Sequence, residues 1–152
     1  MQWQRDLYTI SDRAEDLDRD AIHAFLREAY WSPGIPRVIL DRAIDGSLCF
    51  GLYRESNQVG FARVVSDRAT FAYLADVFVL EEQRGRGLGK WLVACVLAHP
   101  DLQGLRRWML ATRDAHGLYA QNGFRALRNP ERFMEINDPD IYRKRATERA
   151  ML

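Results

Sequence analysis

Three glycines and three cations alternate in Arg84-Gly85-Arg86-Gly87-Leu88-Gly89-Lys90, directly ahead of the apolar run Trp91-Leu92-Val93-Ala94-Cys95-Val96-Leu97-Ala98. A glycine-rich turn that opens a helix is suited to an anion. The first N–H groups of the helix lack internal partners, and the helix dipole adds partial positive charge at the same end. Glycines let a phosphate approach the backbone without meeting a Cβ. A second chemically marked position is Asp76, the only carboxylate in the mostly apolar stretch Phe71–Val79. An unpaired charge in such a strand is costly. Asp76 therefore serves as a base or an amine anchor, or else pairs with an arginine such as Arg63.

Two familiar phosphate motifs do not fit the glycine-rich turn. A Walker A loop needs a hydroxyl residue after its Gly-Lys pair, and Trp91 follows Gly89-Lys90 here. The dinucleotide fingerprint needs a third glycine where this chain has Lys90, and a parallel βαβ setting.

The elements that must position these residues follow from periodicity and punctuation. A short strand is expected at Leu7–Ile10. A helix capped by Asp20 runs through Ala21–Tyr30, with Ile22, Phe25, Leu26 and Ala29 at helical spacing. Pro33, Gly34 and Pro36 break it, and a second helix covers 37–44. Residues 47–53 and 59–65 read as a hairpin about a turn at 55–58, followed by the strand at 71–79. Strict alternation in that strand would put Leu74, Asp76 and Phe78 on one face, and Tyr73, Ala75, Val77 and Val79 on the other. Past the glycine-rich turn and its helix come a strand at 105–112, a short helix over 115–121 ended by Asn122-Gly123, closing strands at 124–127 and 133–136, and a charged tail. The order predicts an α/β (α+β) fold with one mixed sheet.

The spacing Arg84-x-x-Gly87-x-Gly89, after a long strand and at the head of an apolar helix, resembles the [Q/R]-x-x-G-x-[G/A] signature of the GNAT superfamily of acetyl-CoA-dependent N-acetyltransferases. Leu118-Tyr119-Ala120-Gln121-Asn122-Gly123-Phe124 resembles the second motif of that superfamily. The likeness spans roughly 47–136 and implies a largely antiparallel sheet flanked by helices, splayed between the strands at 71–79 and 105–112. It implies acetyl-CoA as donor, held by the backbone of Val77, Phe78 and Val79 and by Arg84, Gly85, Arg86, Gly87, Leu88, Gly89 and Lys90. Tyr119 takes the position of the general acid, and Asp76 that of a base or substrate anchor. Tyr30 and Trp31, with Tyr73, would wall the acceptor pocket. The chain departs from many members in having no Asn in Ala111-Thr112-Arg113-Asp114-Ala115. The reaction implied is acetyl transfer to a primary amine of a small molecule or protein by direct attack in a ternary complex. The alternative is a catalytically silent acyl-CoA-binding or regulatory module on the same fold.

Composition narrows the field further. At 152 residues the chain suits one domain, 1–152: acceptor-side elements in 1–45, a core with the cofactor turn in 47–112, the second motif in 113–136 and a tail at 137–152. Lys and Arg number 22 against 21 Asp and Glu. That balance argues against nucleic acid, charged tRNA included, and against anionic membranes as partners. Cys49 and Cys95 are far apart and lack a ligand-like neighbourhood, so no metal is expected. Residues 1–20 carry no apolar signal segment, and a cytoplasmic protein is expected. Since many relatives dimerise, a homodimer is an open expectation.

Overall fold

In the computed structural model, which describes residues 1–151, the sheet is built in chain order from six strands: β1 (Gln2–Arg5), β2 (Tyr8–Ser11), β3 (Leu48–Arg54), β4 (Asn57–Ser66), β5 (Phe71–Val79) and β6 (Arg107–Met109). Neighbours from β1 to β5 run antiparallel, and β6 runs parallel to β5. Parallel pairing there follows from the crossover through the helix that starts at the glycine-rich turn.

Helices α1 (Arg19–Leu26) and α2 (Arg37–Asp45) cover one face of the sheet. Each buries residues four apart, Ile22 with Leu26 and Leu40 with Ile44, against Cys49, Phe61 and Phe78. Helix α3 (Leu88–Leu97) covers the other face, where Leu88, Leu92, Val93 and Val96 meet Phe50, Leu52, Val64 and Leu74. α4 (His116–Ala120) and α5 (Ile141–Ala150) complete the set.

Several boundaries differ from the sequence reading. The strand expected at 7–10 is the second arm of a hairpin whose first arm, β1, has only one partly buried residue and so lacked an apolar signal. Asp18, not Asp20, caps α1 by accepting from the Ala21 N–H at 3.0 Å. α1 stops at Leu26 because turns fold 27–32 back, with Ser32 Oγ donating to the Leu26 carbonyl at 2.7 Å. The segments at 124–127 and 133–136 are not strands. Phe133 instead meets the Arg107 guanidinium, 4.8 Å above its ring. The charged tail forms α5, whose Tyr142 packs against the α1–α2 core.

The sheet is split where the resemblance implies. β6 pairs with β5 only at Phe71, Ala72 and Tyr73, and among the described residues no strand adjoins β5 on that side from Leu74 to Val79. On its other side β5 is bulged. Phe61 faces Phe78 and Arg63 faces Ala75, so Ala62 opposes both Asp76 and Val77. Asp76 has φ +54°, a left-handed conformation that Asp tolerates better than most residues. The bulge overturns the expected alternation. Leu74 joins the α3 core, whereas Phe78 joins the α1–α2 core on the opposite face.

Gly60 lets β4 pass close to β5. A Cβ there would lie 2.8 Å from the Phe78 carbonyl oxygen and 2.9 Å from a Leu52 methyl. Gly60→Ala is expected to lower unfolding free energy by about 1–3 kcal/mol, the usual cost of overpacking, as measured by urea denaturation. An unchanged midpoint would contradict this packing.

Candidate active site

The split between β5 and β6 opens into a cleft of about 1260 Å³ that brings together most of the residues marked in the sequence. One end is the turn before α3. Gly87, at φ +74°, occupies the N-cap position, and no side chain caps the helix. A Cβ placed on Gly85 or Gly87 would meet nothing, whereas one on Gly89 would touch Leu118 at 3.6 Å. The first two glycines thus leave an open concavity lined by N–H groups, and the third packs against α4. Lys90 and Arg84 line this end. An uncapped helix start, open backbone and two cations suit a pyrophosphate.

The cofactor residues inferred from the resemblance do not all play one part. Arg84 Nε donates to the Val79 carbonyl at 3.1 Å, bracing the turn against the end of β5. Arg86 is exposed and does not line the cleft. Leu88 is anchored in the core, which leaves its backbone N–H for a ligand. The Phe78 side chain stacks on Phe25 at 3.9 Å in the opposite core, so its backbone alone belongs to the split edge. Gln83 was not singled out in the sequence. It is buried and accepts from the Tyr8 hydroxyl at 2.6 Å, tying the turn to β2.

Asp76 stands where the bulge turns its side chain toward α1 and α2. Its Oδ2 accepts from Arg63 Nε at 2.7 Å and its Oδ1 from Trp31 Nε1 at 2.9 Å. Arg63 also donates to Ser47 Oγ at 3.1 Å. The carboxylate is one-tenth exposed. Of the two sequence readings, the ion pair with Arg63 is present, and Trp31 is joined to it. Trp31 in turn meets Tyr30 edge-on at 5.0 Å. The Tyr30 hydroxyl accepts from the Arg113 N–H at 3.0 Å, and the Arg113 guanidinium lies 3.9 Å above the Tyr30 ring. A chain of contacts thus joins β4, β5, the α1–α2 loop and the segment after β6. Arg63 enters as the partner named for Asp76 in the sequence; Arg113 and Tyr142 carry no such signal, and only spatial proximity reveals them.

Tyr119 lines the cleft from α4 and packs edge-on against Phe124 at 6.0 Å. Burial, and secondarily the neighbouring Tyr30, push its phenol up to about 12. The group therefore keeps its proton through the neutral and mildly alkaline range. Tyr73 also lines the cleft. The histidines lie elsewhere. His23 bonds the Ile35 carbonyl at 2.8 Å, His99 bonds Asp12 at 2.9 Å, and His116 is exposed at the start of α4. Burial raises the thiols of Cys49 to about 12 and of Cys95 to about 11, so neither supplies a thiolate near neutral pH. Among the described residues no cluster of three or more His, Cys, Asp or Glu could hold a metal ion.

The family model described as an acetyltransferase (GNAT) domain matches residues 45–126, more than half of the chain. A candidate acetyltransferase of Gibberella zeae is 36% identical over 143 residues, covering 79% of this chain and 80% of that protein. The crystal structure of a candidate GNAT-family acetyltransferase from Xanthomonas campestris pv. campestris superposes with a TM-score of 0.87 at 53% identity, covering 89% of this chain and 96% of that one. The N-acetylglutamate synthase of Neisseria gonorrhoeae, solved with coenzyme A and N-acetyl-glutamate, shares the fold. Its TM-score is 0.67 at 18% identity, covering 96% of this chain and 33% of its own. The chain belongs to the GNAT acetyltransferase family.

The Arg63–Asp76 pair makes a separable prediction. Arg63→Met leaves a nearly buried carboxylate without its cation and is expected to cost about 3 kcal/mol of stability. Adding Asp76→Asn should recover part of that loss. Equal stability of the single and double variants in urea titrations would show that the pair contributes no coupling.

Proposed function

We propose that the protein is an N-acetyltransferase that uses acetyl-CoA and acetylates a primary amine by direct attack in a ternary complex. One observation carries this reading: the unpaired edge of β5 runs from the Asp76 bulge to an uncapped, cation-flanked helix start, with a protonated tyrosine lining the same cleft. The N–H groups opening α3, with Lys90 and Arg84 beside them, would hold the pyrophosphate. The free backbone of Val77 and neighbouring β5 residues would pair with the amide-bearing arm. Bound acetyl-CoA supplies an activated acetyl carbonyl. The acceptor nitrogen would take the acetyl group with the thiol as leaving group, the amine proton ending on the sulfur.

The chain's own residues contribute position and polarity. A β5 N–H near the bulge is placed to donate to an oxygen that gains negative charge, the interaction most effective away from water. Tyr119 donates a hydrogen bond or proton toward the departing sulfur. A phenol raised to about 12 holds its proton tightly, which favours hydrogen-bond donation over full transfer. Asp76, engaged by Arg63 and Trp31, acts as a positioning residue that fixes the indole of Trp31 beside the acceptor. With its carboxylate so engaged, the acceptor amine loses its proton to water or through Tyr73. The protonated thiols of Cys49 and Cys95 support direct attack over an acyl-enzyme. Both are free and buried, consistent with a reducing, cytoplasmic setting. Among the described residues no helix is long and apolar enough to cross a membrane.

A second reading, a silent acyl-CoA-binding module, draws on the same engagement of Asp76. Thiol release over an amine panel separates the two, since only the enzyme turns over. Gly87→Asp is expected to fold and to lose acetyl-CoA binding by calorimetry, because its side chain would enter the concavity with the wrong charge. Retained affinity would remove the turn from the cofactor site. Tyr119→Phe should lower kcat about five- to thirtyfold with acetyl-CoA affinity within about threefold, one missing hydrogen bond being worth roughly 1–2 kcal/mol. Because Tyr119 stays protonated up to about 12, kcat of the unaltered protein should not fall between pH 8 and roughly 10, the ordinary tyrosine range. A descending limb centred there would assign the phenol a different environment.

A further inference from the structure

We infer that the acceptor is a monoamine with a flat, apolar or aromatic body, and not a polyamine or an amino sugar. This rests on the acetyltransferase reading for its chemistry, but its evidence is the acceptor end of the cleft alone. Phe25, Tyr30, Trp31, Tyr73 and Tyr142 line that end. Tyr30 and Trp31 remain 44% and 42% exposed. The Arg113 guanidinium covers one Tyr30 face; the aromatic surface that stays in water inside the cleft marks a surface for an apolar ligand.

These rings are also held in place. Trp31 is fixed through its Nε1 to Asp76, and Tyr30 through its hydroxyl to the Arg113 N–H. Ser32, buried within the same loop, spends its hydroxyl on the Leu26 carbonyl. Gly34 closes the loop at φ +74°, its N–H bonded to the Arg27 carbonyl at 2.8 Å. A prearranged aromatic wall binds a rigid ring without the entropy cost of ordering itself.

Charge decides against the other acceptors. The cleft is lined by two carboxylates, Asp76 and Asp114. Asp76 is neutralised by Arg63, and Asp114 lies 3.6 Å from Arg113. A polyamine carries cationic groups besides the reacting one and needs carboxylates without partners, since displacing Arg63 from Asp76 would strand the arginine. An amino sugar needs hydrogen-bond partners for several hydroxyls, and of the aliphatic hydroxyls lining the cleft Ser32 donates to the Leu26 carbonyl and Thr112 accepts from the Ala115 N–H. One ammonium among aromatic faces is well accommodated by cation–π attraction until it loses its proton.

The test uses tryptophan fluorescence and calorimetry on the full chain. 2-Phenylethylamine, spermidine and glucosamine are titrated into the protein, with and without CoA, and acetyl-CoA is titrated separately. The expected result is that 2-phenylethylamine binds at least tenfold more tightly than the other two. Trp31→Ala should lose about tenfold of that affinity, with circular dichroism confirming an intact fold. Trp31→Phe keeps a ring without the Asp76 bond, and it should stay within about threefold. Equal or tighter binding of spermidine or glucosamine overturns the inference, as does Trp31→Ala without effect. Failure to bind acetyl-CoA while the preference for 2-phenylethylamine persists would sink the transferase reading and leave this one standing.

Discussion

Every backbone N–H and C=O in a strand must find a partner or face a ligand or water, and β5 cannot meet that demand within the fold. β4 accompanies β5 along its length, but β6 leaves after three residues. The rest of the molecule is arranged around the resulting open edge. α3 begins beside the far end of the split, so its unpartnered N–H groups and the unpartnered edge of β5 address the same cleft. Arg84 restrains the turn by bonding Val79, and Gln83 anchors it to β2. The two cores on either face hold the sheet rigid where its own pairing stops.

The acceptor side depends on a different economy of charge. Asp76, Arg63, Trp31, Tyr30 and Arg113 form one continuous set of contacts drawn from four separate stretches of chain. Each polar member is matched by another, so the walls present aromatic surface with little uncompensated charge. The cofactor side is the opposite, with Lys90 and Arg84 lining a concavity that holds no carboxylate of its own. One cleft thus has a cationic end and a neutral, aromatic end.

Much of this was legible in the sequence because glycine and charge patterns are local. The turn at 84–90 announced itself through three glycines and a following apolar helix, and the hairpin at 47–65 through its central polar turn. The register of β5 was not legible. A bulge arises from the match between two strands, and nothing in Ala75-Asp76-Val77 alone marks the residue that will be doubled against Ala62. The Arg113–Tyr30 contact spans 83 positions, beyond any pattern of periodicity. The runs at 124–127 and 133–136 have strand-like residues but no adjoining strand, so β propensity, which depends on neighbours, had nothing to act on. Tyr142 was overlooked because the charges around it describe a solvated helix face and conceal one inward residue.

The bulge has an evolutionary reading. β5 is one residue longer than its ladder with β4 requires, and the surplus residue is Asp76. A strand shortened by that one position would restore strict alternation, keep Leu74 and Phe78 on opposite faces, and lose the carboxylate that holds Trp31. Such a sheet would be more regular, with both cores intact and no site. A single-codon insertion therefore suffices to separate an ordinary strand from one that carries a site.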